Sequence, residues 1–156
     1  MSRIDYPATV LEVIDDQVIY SEAVLHAVEH FAQAHPWRGT TDERQEKIRA
    51  LHHDLSTACN LAEPELVFTC IIGGPSGGSH YEPSRQRIVI VGKLSVVTYL
   101  HEFGHAQGMG EKESCRWSIN LFKRCFPRQY GRLVHVGHML VRPADLTSKL
   151  AGRRDP

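Results

Sequence analysis

The sequence lacks a Cys-x-x-Cys pair, although it contains four cysteines, Cys59, Cys70, Cys115 and Cys125. Without such a pair, neither a thiolate zinc knuckle nor a dithiol redox motif is expected. We therefore expect the four cysteines to be reduced, buried thiols.

The sequence also lacks a hydrophobic run long enough for a membrane-spanning helix, which needs about 20 apolar residues. Its first stretch, MSRIDYPATVLEVIDD, carries acidic residues where a signal peptide would need a basic start and an apolar run. A hydrophobic content of 42% and a charged content of 23% over 156 residues are typical of one globular domain. We expect a single domain over residues 1–156, located in the cytoplasm and not bound to a membrane.

The chain has no net charge, because 18 basic residues balance 18 acidic residues. Strong nucleic-acid binders usually have a basic overall balance, so a nucleic-acid partner is not expected. Basic residues nevertheless gather towards the C-terminus. They are Lys112, Arg116, Lys123, Arg124, Arg128, Arg132 and Arg142. A solvated surface is the favoured interpretation, and contact with phosphate or an acidic partner is the alternative.

Apolar residues at the helical period predict two helices in the first half of the chain. The first helix starts at Ser21, and the second follows a capping-box signal formed by Thr40 and Glu43. The buried stripe of the first is Val24, Ala27, Val28 and Phe31. The buried stripe of the second is Ile48, Leu51, Leu55 and Cys59. His26 and His30 lie opposite the first stripe, with no acidic residue placed to complete a metal site.

Residues rich in β-branched and aromatic side chains predict two strands, ELVFTCII at 65–72 and RIVIV at 87–91. The segment VLEVIDDQVIY at 10–20 is expected to form a short strand or hairpin. The stretch GGPSGGSHYEPS at 73–84 lacks the G-K-[ST] ending of a phosphate-binding loop. A surface loop is therefore expected there.

The second half of the chain is expected to be mainly helical. One helix begins near Leu94 or Ser95, another ends by Pro127, and two shorter helical pieces finish the chain. Together with the strands, this pattern predicts an α+β fold that consists of a small β-sheet, a helix carrying the candidate site and a packed helical body.

The stretch TYLHEFGHAQGMGEKES at 98–114 contains two histidines four residues apart, His101 and His105. Residues at this spacing share one face of a helix, with Cβ atoms about 5–6 Å apart, so both imidazoles can reach one Zn²⁺ ion at about 2.0–2.1 Å. Glu102 lies about 100° further around the helix axis. It is better placed to take a proton from a zinc-bound water than to bind the metal.

A catalytic zinc site needs a third protein ligand and an open position. Gly108 and Gly110 can adopt positive φ, end the helix and turn the chain back under the metal. Glu111 follows this turn and is the favoured third ligand. The other candidate ligands are Glu113, His135 and His138.

These motifs resemble the zincin superfamily of metallopeptidases and, within it, most closely the ImmA/IrrE-type enzymes. That family's pattern runs from a strand into H-E-[LF]-[GA]-H, then to E-x-x-A-x-x-F-A-x-x-L-L and a proline. The matching segments here are HYEPSRQRIVIV and LSVVTYLHEFGH. The matching residues after them are Glu111, Ser114, Trp117, Ser118, Leu121, Phe122 and Pro127. The resemblance covers residues 80–127, with serine in place of both alanines, tryptophan in place of phenylalanine and a shorter gap before Glu111.

The gap also resembles the metzincin pattern H-E-x-x-H-x-x-G-x-x-H, with Glu111 at the last position and Gly108 at the glycine. In this comparison Met139 corresponds to a Met-turn residue. The zincin resemblance implies that His101, His105 and Glu111 bind zinc and that the protein hydrolyses peptide bonds. It further implies that Glu102 is the general base and then the proton shuttle.

The resemblance also implies a protein or peptide substrate, such as a regulator, that adds as a strand along RIVIV at 87–91. An electrophilic helper for the oxyanion is also required. The candidates are Tyr81, Tyr99, Tyr130, His135 and His138. Two other functions stay open. One is a non-catalytic module in which zinc only staples the fold and the basic C-terminal helices contact nucleic acid or a protein. The other is a metal-dependent amidase.

Overall fold

The computed structural model describes residues 10–70, 78–136 and 139–143 of the chain. Its helices are α1 (Val10–Val13), α2 (Glu22–Gln33), α3 (Thr41–Ala58), α4 (Val96–Ala106), α5 (Glu111–Cys125) and α6 (Pro127–Gly131). Its strands are β1 (Glu65–Thr69), β2 (His80–Glu82), β3 (Arg87–Val91), β4 (Val134–Val136) and β5 (Met139–Val141). The predicted α+β class is therefore confirmed. Within the described ranges, no helix is both long and apolar enough to cross a membrane.

A mixed three-stranded sheet has the spatial order β1-β3-β2. β3 pairs in parallel with β1 and antiparallel with β2. The strand predicted at 87–91 is confirmed, and the one predicted at 65–72 is confirmed for Glu65–Thr69, while residues 71 and 72 lie outside the described part. Because β3 is the central strand, both of its sides are already hydrogen-bonded, and β2 lies at the edge.

Part of the stretch predicted as a surface loop forms the edge strand β2. His80 pairs with Val89 and Glu82 with Arg87 across the β2–β3 ladder. The Glu82 carboxylate accepts a hydrogen bond of 2.9 Å from Arg87 Nε. This cross-strand ion pair stabilises β2. The glycines just before β2 had favoured the prediction of a loop. Residues 73–77 of the predicted loop lie outside the described part.

The strand or hairpin predicted at 10–20 is wrong, because the segment forms α1 and then a turn. Asn120 on α5 explains the difference. Its amide nitrogen donates to the carbonyl of Val13 at 2.8 Å, and its amide oxygen accepts from the backbone N–H of Asp15 at 2.9 Å. A side chain 107 positions away in sequence from Val13 therefore ends α1, and local β-propensity could not reveal it.

The predicted core stripes of α2 and α3 are confirmed, except that Cys59 is only partly buried. The capping box of α3 is also confirmed, with the Glu43 N–H donating to Thr40 Oγ1 at 3.2 Å. One hydrophobic cluster joins these stripes to α4. Tyr99, Leu100 and Phe103 contribute fully buried side chains to it. One face of α4 is thereby fixed in the core, which leaves another face to carry the candidate site.

The end of the described chain contains one of the two short helical pieces that were predicted, together with a strand pair. α6 is the helical piece. β4 and β5, which were not predicted, pair antiparallel with Val134 opposite Val141, and residues 144–156, where a second helical piece could lie, are outside the described part. The valines of LVHVGHMLV favour a strand over a helix. All four cysteines are free, and Cys115 is buried as expected, whereas Cys70 is exposed.

Candidate metal centre

Helix α4 presents His101 and His105 on the face opposite its buried aromatic residues. Ser95 caps its N-terminus by accepting a hydrogen bond of 3.2 Å from the Thr98 N–H. The two histidine side chains retain 18% and 23% exposure, whereas Phe103 between them in sequence is fully buried. The helical period therefore places both imidazoles at the same partly open surface.

The turn after α4 depends on one glycine and not on two. Gly108 has a φ of +92°, and its N–H donates to the carbonyl of His105 at 2.9 Å. Gly110 was also expected to adopt positive φ, but its φ is −73° and it is the N-cap of α5. Glu111 is therefore the first residue of α5, directly after the chain has turned back towards the histidines.

Helices α4 and α5 approach closely at a glycine–serine contact. A Cβ atom built on Gly104 would lie 2.6 Å from the hydroxyl oxygen of Ser114 and 3.2 Å from its Cα. Ser114 is fully buried. Only a residue without a side chain allows this approach, which brings the first turn of α5 beside the histidine face of α4.

Three side chains converge at this junction. Nε2 of His101 lies 3.0 Å from Oε1 of Glu111, and Nε2 of His105 lies 3.0 Å from Oε2 of the same carboxylate. The two Nε2 atoms are 3.1 Å apart. Two nitrogens bound to one Zn²⁺ ion at about 2.0–2.1 Å in tetrahedral geometry are about 3.3 Å apart. The nitrogen, nitrogen and oxygen donors therefore fit a single small divalent cation.

The backbone determines which nitrogen of His105 faces this point. Nδ1 of His105 lies 2.9 Å from the carbonyl oxygen of Met109, which can only accept a hydrogen bond. In a neutral, metal-binding His105 the ring proton is therefore on Nδ1, which leaves the Nε2 lone pair available to a cation held next to Glu111. Metal-binding histidines usually have such an outer partner, because it fixes the tautomer and the ring orientation.

Cys115 lies behind His101 and was missed as a site residue. His101, Glu111 and Cys115 place potential ligand atoms within 4.8 Å of one another. However, Cys115 Sγ is 3.6 Å from Nδ1 of His101, whereas it is Nε2 of that ring that faces His105 and Glu111. One ion cannot use both nitrogens of a ring, so the His101–His105–Glu111 set and the His101–Glu111–Cys115 set exclude each other. Cys115 follows Glu111 by four residues, and this helical spacing was the available signal.

The charges of the site favour an ionised carboxylate. Hydrogen bonds from His101 and His105 hold the pKa of Glu111 well below its usual range. The bond to Glu111 in turn raises the pKa of His105. Glu113, the rival third ligand, is exposed on α5, about 200° around the helix axis from Glu111. The side chains of His135, His138 and Met139 lie outside the described part of the structure.

Glu102 borders a cleft of about 630 Å³ together with His105 and Glu111. Its side chain is buried, with 7% exposure, and burial raises the pKa of its carboxyl group. His80 and Tyr81 of β2 also line this cleft. The central strand β3 was expected to receive a substrate, but both its sides are paired, so the edge available at the cleft belongs to β2.

The candidate electrophilic helpers lie in different places. Tyr81 lines the cleft, whereas Tyr99 is buried in the core, with its hydroxyl group 2.7 Å from Nδ1 of His52. Tyr130 packs near Lys123, whose Nζ is 5.7 Å from the ring centroid. His80 was not a candidate, yet it lines the cleft. Its position at the start of a strand that borders the site could not be known before the β2–β3 pairing was seen.

No protein-family model matches the chain, and no curated protein or solved structure matches it either.

Proposed function

We propose that the protein is a zincin-type, zinc-dependent metallopeptidase that hydrolyses peptide bonds in a protein substrate. The observation that carries the proposal is the convergence of His101 Nε2, His105 Nε2 and the Glu111 carboxylate within 3.1 Å of one another, next to a buried Glu102 in an open cleft. A catalytic zinc site needs three protein ligands and an accessible position.

The proposed mechanism assigns one role to each side chain. His101, His105 and Glu111 hold the zinc, which when bound acts as a Lewis acid towards water and the scissile carbonyl. Glu102 accepts the proton of the attacking water and passes it to the leaving amine. Its raised pKa suits this exchange, because a carboxyl group must both take up and release a proton near neutral pH.

Strand β2 provides a place for an extended substrate. Its outer side is the sheet edge at the cleft, so a peptide can add as a further strand next to His80 and Tyr81. We assign His80 as the group that stabilises the oxyanion through its positive charge. Both ring N–H groups are held by the acceptors Gly78 O and Glu82 Oε1, which favours the charged ring. The sequence likeness to ImmA/IrrE-type enzymes supports a regulator, such as a repressor, as the substrate.

The test compares wild type with Glu102→Gln after zinc has been supplied. Bound zinc is measured by elemental analysis, and hydrolysis is measured on a library of fluorogenic peptides. We expect one zinc per chain in both proteins and hydrolysis only in wild type. Equal turnover in both would remove Glu102 from its role, and a wild type that binds no zinc would overturn the proposal as a whole.

The rival function is a binding module with a structural ion, and one observation favours it. The alternative set His101–Glu111–Cys115 would hold an ion through a buried thiolate, whereas a structural zinc has four protein ligands and no open position. The basic residues towards the C-terminus support binding to nucleic acid less than the sequence suggested. Arg116 and Lys123 already form ion pairs with Asp15 and Asp16, so these two cations are partly neutralised. Salt-dependent DNA binding without peptidase activity would favour the rival.

A further inference from the structure

Cys115 contacts two of the three proposed zinc ligands. Its sulfur lies 3.6 Å from Nδ1 of His101 and 3.8 Å from Oε1 of Glu111, both within the range of sulfur hydrogen bonds. The residue is only 3% exposed. It packs with the buried side chains of Val13 and Ile119, which restrict the positions that the thiol can take.

The hydrogen-bonding roles follow from the orientation of His101. Because Nε2 faces Glu111 and His105, the proton of a metal-binding neutral ring is on Nδ1, directed at the sulfur. The sulfur accepts a hydrogen bond from this Nδ1–H, and the thiol S–H donates one to Oε1 of Glu111. One side chain thus orients a nitrogen ligand and an oxygen ligand together.

We propose that Cys115 is a positioning residue that holds His101 and Glu111 in the geometry required for a divalent metal, without binding the metal itself. This inference rests on the proposed zinc site. The two histidines differ in the partner of their outer nitrogen, Nδ1. His105 has a backbone carbonyl as its outer partner, at 2.9 Å, whereas His101 has a thiol. Only the partner of His101 can be removed by substitution.

Two substitutions separate hydrogen bonding from packing. Cys115→Val introduces a somewhat larger apolar side chain that can neither donate nor accept, whereas Cys115→Ser keeps both capacities in a smaller side chain. Cys125→Val is the matched control, because Cys125 is a partly buried free thiol at the far end of the same helix. Cys115→Ala provides the same loss of hydrogen bonds if the valine variant does not fold.

Zinc affinity is measured by competition with a chromophoric chelator. Loss of an outer partner typically weakens metal binding by about 10–100-fold. We expect at least a tenfold loss in Cys115→Val and close to wild-type affinity in Cys115→Ser and in Cys125→Val. Thermal unfolding of the metal-free proteins is measured in parallel. If Cys115 is a positioning residue, the loss of zinc affinity in Cys115→Val is larger than the loss of stability of the metal-free protein can explain.

Three outcomes are distinguishable. Wild-type affinity in Cys115→Val overturns the inference and leaves the zinc site intact. A thiolate-to-cobalt charge-transfer band in the Co²⁺-loaded wild type that disappears in Cys115→Ser also overturns it, because Cys115 would then be a direct ligand. Failure of the wild type to bind zinc or cobalt is a failure of the proposed function itself.

Discussion

Gly104 and Ser114 lie so close together that a Cβ atom on Gly104 would be 2.6 Å from the Ser114 hydroxyl oxygen. This contact sets the separation of α4 and α5, and hence the reach of Glu111 towards the two histidines. Gly104 sits inside the motif HEFGH, so its small size serves the helix packing that completes the site.

We predict that Gly104→Ala destabilises the protein and weakens zinc binding. The methyl group forces α5 away from α4, and such overpacking typically costs about 1–3 kcal/mol of unfolding free energy. Urea unfolding and chelator competition measure the two effects. Gly131→Ala is the control, because a Cβ there meets no atom within 4 Å. Wild-type stability and affinity in Gly104→Ala would show that the contact does not position Glu111.

A second substitution tests the same contact from α5. The Ser114 hydroxyl is buried and has no hydrogen-bond partner among the described residues. Ser114→Ala removes that oxygen, so we expect unchanged or higher stability, by up to about 1 kcal/mol. Combined with Gly104→Ala, it should recover part of the lost stability in a double-mutant cycle. Strict additivity would mean that the two positions are not coupled.

Removing a ligand is predicted to abolish zinc binding while leaving the fold. His101→Ala deletes one nitrogen donor, and we expect its bound zinc to fall from about one ion per chain to a small fraction, because three protein ligands are needed. His26→Ala is the matched control. His26 belongs to an exposed histidine pair with the same four-residue spacing. Full zinc occupancy in His101→Ala, measured by elemental analysis, would refute the ligand assignment.

Local patterns in the sequence predicted much of the arrangement at the candidate site. The spacing of His101 and His105 depends only on the helical period, and Glu111 follows a turn marked by Gly108. The structure brings these side chains together as the motif indicates. The buried stripes of α2 and α3 were likewise readable, because each depends on residues within one helix.

What the sequence did not reveal depends on contacts between distant segments. α1 replaces the expected strand because Asn120 caps its end from α5. His80 reaches the cleft only because β2 pairs with β3. The same pairing makes β2 the edge strand, whereas a substrate had been expected to add along β3. Propensity and periodicity describe neighbours along the chain, so they carry no information about such partners.

We predict that His80→Ala lowers kcat about 100-fold without loss of zinc, as expected when one group that stabilises the oxyanion electrostatically is removed. Nδ1 of His80 donates to the Gly78 carbonyl at 2.8 Å, and Nε2 lies 3.1 Å from Oε1 of Glu82. The Gly78 carbonyl and then Glu82 raise the pKa of His80 and favour a cationic ring. Tyr81→Phe is the comparison at the same wall of the cleft. A larger loss of kcat in Tyr81→Phe would transfer the role to the tyrosine.

The buried His52 predicts that stability falls in mild acid. Its Nε2–H donates to the Pro64 carbonyl at 2.7 Å, and Nδ1 accepts from the Tyr99 hydroxyl at 2.7 Å, behind α4. Burial lowers the pKa of His52 below its value of 6.5 in the unfolded chain. Between these two pKa values the unfolded state binds the extra proton, so the free energy of unfolding decreases as pH falls through this window.

The contribution of His52 to this decrease is at most about 1.4 kcal/mol per pH unit, the effect of one proton. Urea unfolding at pH 7.5 and at pH 5 measures the decrease in wild type, in His52→Gln and in His53→Gln. Glutamine can donate to Pro64 and accept from Tyr99 but does not titrate, so we expect a smaller pH dependence in His52→Gln. His53→Gln is the control at the neighbouring position, where 72% of the histidine side chain is accessible. Identical pH dependence in wild type and His52→Gln would mean that protonation of this buried ring does not limit stability in acid.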